Sequence, residues 1–472
     1  MGEIRLDKMS GSGPGFYPAL FLESGMKKQQ NNFLNGSILP SLLRFAGPVL
    51  LALFLQAMYG AVDLIVVGKF AGTADISAVS TGSQAMQLVT SLLVGLTTGV
   101  TVLLGQKIGE GRPDEAGSVV GSAICLFVCV ALALTALLSA LTKPFCRLLQ
   151  APEEAFVPTT QYVRICSAGT LFIVAFNVIG SVFRGLGNSK MPLITVAIAC
   201  VTNIFGDLLL VDVFQMGAAG AALATVFAQA VSVILSLFVI MRRKLPFTFR
   251  KEQLRFDRPL TAGILRLGIP IALQDVLVGV SFLVILAIVN SLGLLQSAGM
   301  GIAEKVCAFV MLLPSAFSQS VSAFVAQNTG AAKPDRAKKA LRYSVVTSLC
   351  ISVFVFYFNF FHGDLLAGIF ANDRAVILEA ADYLKAYAID CLLTSFLFCF
   401  VGYFSGLGKT VFVMTQGILG AFGVRIPVSF AMSRLPNVRL FYIGLATPCS
   451  TVVQVLLCLG YYAHLARRER RA

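Results

Sequence analysis

Long apolar runs divide the chain, each ended by a short polar or basic segment. A helix that crosses a bilayer needs roughly 20 mainly apolar residues. That criterion predicts spans over 44–68, 76–105, 117–141, 161–183, 191–212 and 217–241. A second set follows over 266–291, 298–327, 342–362, 382–404, 411–433 and 440–464. The runs are continuous rather than alternating, and open strands would leave backbone groups unpaired in lipid. Many runs are rich in Gly, Ala, Ser and Thr, as closely packed membrane helices are. The expected fold is all-α and integral to a membrane, with about twelve transmembrane helices.

The order of these runs repeats. Gln106-Lys-Ile-Gly-Glu-Gly-Arg-Pro-Asp-Glu-Ala116 aligns with Gln327-Asn-Thr-Gly-Ala-Ala-Lys-Pro-Asp-Arg-Ala337. At the same offset Tyr162-Val-Arg164 meets Tyr383-Leu-Lys385, and Phe183-Arg-Gly-Leu-Gly187 meets Phe404-Ser-Gly-Leu-Gly408. Within one residue of that offset, Arg44 and Pro48 meet Arg266 and Pro270. The chain then divides into a tail (1–40), a first lobe (41–241), a basic linker (242–262), a second lobe (263–465) and a short tail (466–472). Six spans per lobe is an even number, so the lobes are parallel six-helix repeats. Substrate sites in such proteins lie near mid-membrane, where the repeats meet.

Composition agrees with burial in lipid. Of 472 residues, 57% are hydrophobic and 13% charged, where a soluble chain carries roughly a quarter. Mean hydropathy is +0.83. The net charge of +14 is not a nucleic-acid footprint. It falls in segments that alternate along the chain: Lys27 and Lys28; Arg242 to Arg258; Lys333 to Arg342; and Arg467 to Arg471. Twelve spans put all four on one side, so both termini are expected in the cytoplasm. The basic runs read as topology signals that also touch lipid head groups. His is limited to His362 and His464, and the eleven Cys form no CxxC pair, so neither a zinc site nor a disulfide framework is expected. No cleavable leader is visible, and Gly2 lacks the hydroxyl residue four positions on that myristoylation needs.

Candidate chemistry is sparse. Gly406-Leu-Gly-Lys-Thr410 resembles the end of a phosphate loop, but Tyr403 stands where the first Gly belongs. It reads as a tight turn, like Gly185-Leu-Gly-Asn188, and ATP hydrolysis is not expected. The informative residues are polar groups inside the spans, which cost at least ~2.5–3.5 kcal/mol for a central carboxylate. The first lobe holds Asp63, Asn177, Asn203, Asp207 and Thr225. Asn203 and Asp207 share one helix face. Oxygen ligands of this kind suit Na+, and paired carboxylates in a low dielectric can hold a proton. The counterparts of Asp63, Asn177, Asn203 and Asp207 in the second lobe are Ile285, Phe398, Val424 and Val428. Packing shared by both lobes therefore does not explain the cluster. A cation site and a structural polar network are the two readings of it. The second lobe has its own scattered groups: Gln274, Asp275, Glu304, Asp390 and Arg425. Asp275 and Asp390 are expected to line the cavity or pair structurally, and Glu304 to sit near a span end.

The sequence resembles the multidrug and toxic compound extrusion family from about Arg44 onward. The resemblance rests on Pro48, Gln56, Ala61-Val-Asp-Leu-Ile-Val-Val-Gly68, Gly105-Gln106 with Gly109, Phe183 to Gly187, Asn203 with Asp207, and Gly217 to Thr225. It implies two six-helix lobes around a central cleft. In the DinF-like branch it implies a cation site at Asp63, Asn177, Asn203, Asp207 and Thr225, with a bend of the first span at Pro48. The NorM-like branch places carboxylates in the seventh and tenth spans, and Asp275 and Asp390 are offset from those positions by about a turn. Gln56, Gln274, Asp275, Asp390 and Arg425 are the candidates for the substrate cavity. The implied activity is antiport in a bacterial cytoplasmic (inner) membrane. Na+ or H+ would enter and small amphipathic, cationic molecules would leave, by a monomer without further cofactor. A flippase for lipid-linked precursors has the same architecture but asks for a more cationic cavity. A major facilitator transporter would carry a DRxGRR-like motif where Gly109-Glu-Gly-Arg-Pro-Asp114 stands, and a membrane enzyme would need a catalytic motif that is absent.

Overall fold

The computed structural model describes residues 33–149, 151–242, 247 and 249–469. Lys27, Lys28, Arg243, Lys244, Arg470 and Arg471, counted above toward orientation, lie outside these residues. Every regular element among the described residues is helical. The first lobe comprises α1 (Ile38–Phe70), α2 (Thr73–Gly109), α3 (Pro113–Leu148), α4 (Glu153–Ala168), α5 (Thr170–Gly185), α6 (Lys190–Asp207) and α7 (Gly217–Arg242). The second comprises α8 (Arg258–Asn290), α9 (Leu294–Val310), α10 (Leu312–Gly330), α11 (Pro334–Phe361), α12 (Gly363–Gly368), α13 (Arg374–Gly406), α14 (Thr410–Ile418), α15 (Ile426–Ser433), α16 (Leu440–Gly444) and α17 (Ala446–Glu469). Among the described residues eleven helices are long and apolar enough to cross a membrane, and α4 with α5, bent by 54°, counts as a twelfth when taken as one span.

That bend corrects the continuous span predicted over 161–183. The break is at Gly169, where a Cβ would come within 2.4 Å of the Val226 side chain, so α7 presses on the corner itself. Boundaries differ too. Helix α8 starts at Arg258, inside the predicted linker, because Asp257 caps it by accepting from Leu260 N at 3.2 Å and Pro259 occupies its first turn. Glu304 lies well inside the crossing formed by α9 and α10 rather than near a span end.

The repeat extends to backbone conformation. Gly187 and Gly408 turn at φ +76° and +75°, and Gly111 and Ala332 at φ +71° and +53°. An alanine pays roughly 1–2 kcal/mol in the left-handed region, partly offset by the entropy a glycine adds to the unfolded chain. Ala332→Gly is therefore expected to raise stability by up to about 1 kcal/mol, read as a higher unfolding temperature in detergent.

Proline occupies the same place in both lobes, within α1 (Pro48) and α8 (Pro270). Each removes the donor for the carbonyl four residues earlier, Arg44 or Arg266. Thr410 Oγ1 donates to the Arg266 carbonyl at 3.3 Å. Ser189, the counterpart of Thr410, has a buried Oγ with no partner.

The lobes meet at the end of the bundle that carries Phe33 and Glu469. Gln106 Nε2 donates to the Gly406 carbonyl at 3.2 Å, and its counterpart Gln327 donates to the Gly185 carbonyl at 2.9 Å. Each lobe thus reaches across the pseudo-two-fold axis to the other's turn. Glycine permits the approach: a Cβ on Gly109 would lie 2.0 Å from the Gln327 carbonyl oxygen, and one on Gly330 1.9 Å from that of Gln106. Further along, a Cβ on Gly99 would lie 2.3 Å from the Ile264 carbonyl oxygen and one on Gly95 2.4 Å from the Ala272 Cα, so α2 and α8 pack backbone to backbone. Phe33 is fully buried at this end, and Arg336 and Asn328 donate to its carbonyl.

Candidate cation and substrate site

Tyr59 and Asp63 lie one turn apart on α1, and Asn203 and Asp207 one turn apart on α6, which passes into a π-helical turn (Leu208–Val213). Such turns recur at functional sites. Helices α6 and α7 pack tightly because the facing residues are small: a Cβ on Gly206 would be 2.9 Å from that of Ala224. This closeness brings Thr225 beside Asn203.

The structure joins Asp63, Asn203, Asp207 and Thr225 in one buried cluster. Thr225 Oγ1 donates to Asp63 Oδ2 at 3.3 Å, and Asn203 Nδ2 approaches Thr225 Oγ1 at 3.5 Å. The carboxyl groups of Asp63 and Asp207 lie beside each other with no hydrogen bond between them. Asp207 is fully buried and Asp63 is 4% exposed. Asp63 Oδ1, Asn203 Oδ1 and both oxygens of Asp207 have no donor. Two ionised carboxylates cannot satisfy one another, and burying both without counter-charge is costly. A shared proton or a hard cation would meet this set of oxygens.

Asn177 is placed apart. Its Nδ2 donates to the Ile173 carbonyl of its own helix at 2.8 Å. With Gln56 and Arg184 it lines a cavity of about 70 Å3 within the first lobe, which Gln319 of the second lobe also touches. The sequence reading also missed Tyr59, which lies one turn before Asp63 and beside the Gln229 side chain. Its spacing one turn before Asp63 was a usable signal.

The remaining candidates do not form one site. Positions 264, 268 and 272 of α8 face α2, and Asp275 continues that face beyond the last contact, where it is exposed. Gln274 turns the other way and packs on Gly417. Asp390 and Arg425 are buried inside the second lobe, 2% and 6% exposed. Nearby, Glu304 lines a cavity of about 280 Å3 with Phe282, Tyr383 and Tyr387.

Known proteins share this architecture. The family model MatE matches residues 48–209 and, a second time, 270–431. The probable multidrug resistance protein YoeA of Bacillus subtilis is 25% identical over 441 residues, spanning 92% of this chain and 95% of its own. The multidrug export protein MepA of Staphylococcus saprophyticus is 25% identical over 413 residues, spanning 85% and 89%. A crystal structure of MATE in complex with MaL6 superposes with a TM-score of 0.88 at 17% identity, covering 93% of this chain and 99% of that one. With both lobes matched and the twelve crossings in place, the chain is a multi-pass membrane protein that belongs to the multidrug and toxic compound extrusion (MatE) family.

Proposed function

We propose that the chain exports small amphipathic, cationic molecules in exchange for Na+ or H+, by alternating access between its two lobes. The observation that carries this reading is the set of donorless buried oxygens on Asp63, Asn203 and Asp207. The names of the relatives, a multidrug resistance protein and a multidrug export protein, support the substrate class. On this reading the chain sits in the bacterial cytoplasmic membrane with the clasped end inside, and the cleft between the lobes opens outward.

A cation entering from outside neutralises Asp63 and Asp207, which lets α1 repack, with Pro48 as the bending point. Asn177 and Gln56 line the adjoining cavity and would sense that movement. Drug affinity falls and the substrate leaves. The exchange works only if cation and drug prefer different states. Each entering charge draws up to ~2.3 kcal/mol per 100 mV of membrane potential.

Reconstitution into liposomes with an imposed Na+ or H+ gradient and a panel of cationic dyes tests this. Dye movement that follows one of the gradients is expected. Movement of no dye under either gradient, with lipid-linked sugar crossing instead, would replace this reading with the flippase.

A further inference from the structure

Arg184 is a cation inside the first lobe that lacks the usual partners of a guanidinium. It stands one residue from the end of α5, where a basic side chain often bonds the last carbonyls of its helix. Here the side chain runs the other way. It folds back along α5, so that a Cβ on Gly180, one turn earlier, would lie 3.3 Å from Nη1. Among the described residues its hydrogen bonding is limited to Nη2, which donates to Ser181 Oγ at 2.8 Å. No carboxylate pairs with it and no aromatic ring lies under it.

The guanidinium borders the cavity of about 70 Å3 that Gln56, Asn177 and Gln319 also line. The side chains of Gln56 and Gln319 make no hydrogen bond among the described residues. Asn177 Nδ2 and Thr195 Oγ1 already donate to the backbone of their own helices. The lining thus presents a guanidinium and two free carboxamides, and no carboxylate. Donors without acceptors are costly away from water, and a charged donor most of all. The second lobe has nothing comparable. The counterparts of Asn177, Gly180 and Arg184 are Phe398, Val401 and Ser405, so packing common to both lobes does not call for a cation here. Gln56 lies two turns before Asp63 on α1, and Val196 two turns before Asn203 on α6. The cavity therefore shares helix faces with the carboxylate cluster, roughly 10 Å away along the axes. Its α1 lining, from Val49 to Gln56, directly follows Pro48.

We propose that this cavity is an oxyanion subsite, in which Arg184 with Gln56 and Gln319 takes the carboxylate of the transported molecule. The planar fork of a guanidinium matches a carboxylate, and the two amides supply further donors. The inference rests on the reading of the chain as an exporter of amphipathic cations. It narrows them to zwitterions, with the anionic end at Arg184 and the cationic end toward Asp63 and Asp207. A coupling ion that neutralises the carboxylates then weakens the hold on one end, while α1, bending at Pro48, reshapes the pocket around the other.

Equilibrium binding to the purified full chain tests this, with two rhodamine dyes that differ only in a free carboxylate or its ethyl ester. By fluorescence polarisation the native protein should bind the free acid about tenfold more tightly than the ester. Arg184→Gln should bring the acid down to the level of the ester, and Arg184→Lys should keep part of the preference. Gln319→Leu, on the other lobe, should reduce the preference with Arg184 in place, and it decides the matter should Arg184→Gln not fold. Equal binding of the two dyes by the native protein would mean that the cavity holds only water, and would overturn the proposal. So would a preference that survives Arg184→Gln, or Gln319→Leu where that variant decides. Binding needs no gradient, so the two readings fail separately. Dyes that bind with this preference yet follow neither a Na+ nor a H+ gradient in liposomes would sink the export reading and leave the subsite standing.

Discussion

Asp207→Asn is expected to abolish gradient-driven export while leaving the amount of folded protein in the membrane unchanged. Asparagine has nearly the same shape, so the contacts of α6 with α7 survive. It holds no negative charge, so the cluster stays in the form that a bound cation would produce. A coupling free energy of about 1–3 kcal/mol corresponds to roughly 5–150-fold in affinity, and the substitution removes that term outright. The initial rate of dye efflux in proteoliposomes should therefore fall to the level without a gradient. Unfolding temperature should hold or rise, because one of two facing buried carboxylates has gone. Asp63→Asn should behave in the same way. Normal gradient-driven transport by both variants would remove the cluster from the mechanism.

The second large effect is expected at the clasp. Gly109→Ala would set a Cβ 2.0 Å from the backbone oxygen of Gln327, and Gly330→Ala one 1.9 Å from that of Gln106. Neither obstacle is a side chain that can turn aside, so α2 and α10 must separate. Separation breaks the bonds from Gln106 to Gly406 and from Gln327 to Gly185. Either substitution should shift the chain toward the state open at this end and cut the transport rate at least tenfold, since moving a population tenfold takes only about 1.4 kcal/mol. Hydrogen exchange at the ends of α2 and α10 should rise in both variants. Gly60→Ala meets open space and serves as the control. Unchanged exchange in both clasp variants would mean that the close approach is not needed to seal that end.

Much of this was legible in the chain before any coordinates. The crossings follow from apolar length, and the two lobes from anchors such as Gln106 with Gln327. The bend at Gly169 was not legible, because the residue packed against that corner, Val226, comes from a crossing far along the chain. The role of the paired glutamines was hidden for a related reason: their acceptors are backbone carbonyls, which leave no mark in a side-chain pattern. The cluster was read from charge and spacing, which brought in Asp63, Asn203, Asp207 and Thr225. Asn177 was grouped with them because it shares their polarity and depth. Depth does not fix the helix face, and its own face turns it toward Gln56.

Two carbonyls freed by proline make the lobes mechanically unequal. The one at Arg266 is held by Thr410, so α8 is latched to the helix beside it. In the other lobe the hydroxyl of Ser189, the counterpart of Thr410, bonds nothing. The duplicated unit is thus unequally braced: in one copy a hydroxyl from the neighbouring crossing takes up the carbonyl that proline frees, and in the other the matching hydroxyl makes no bond.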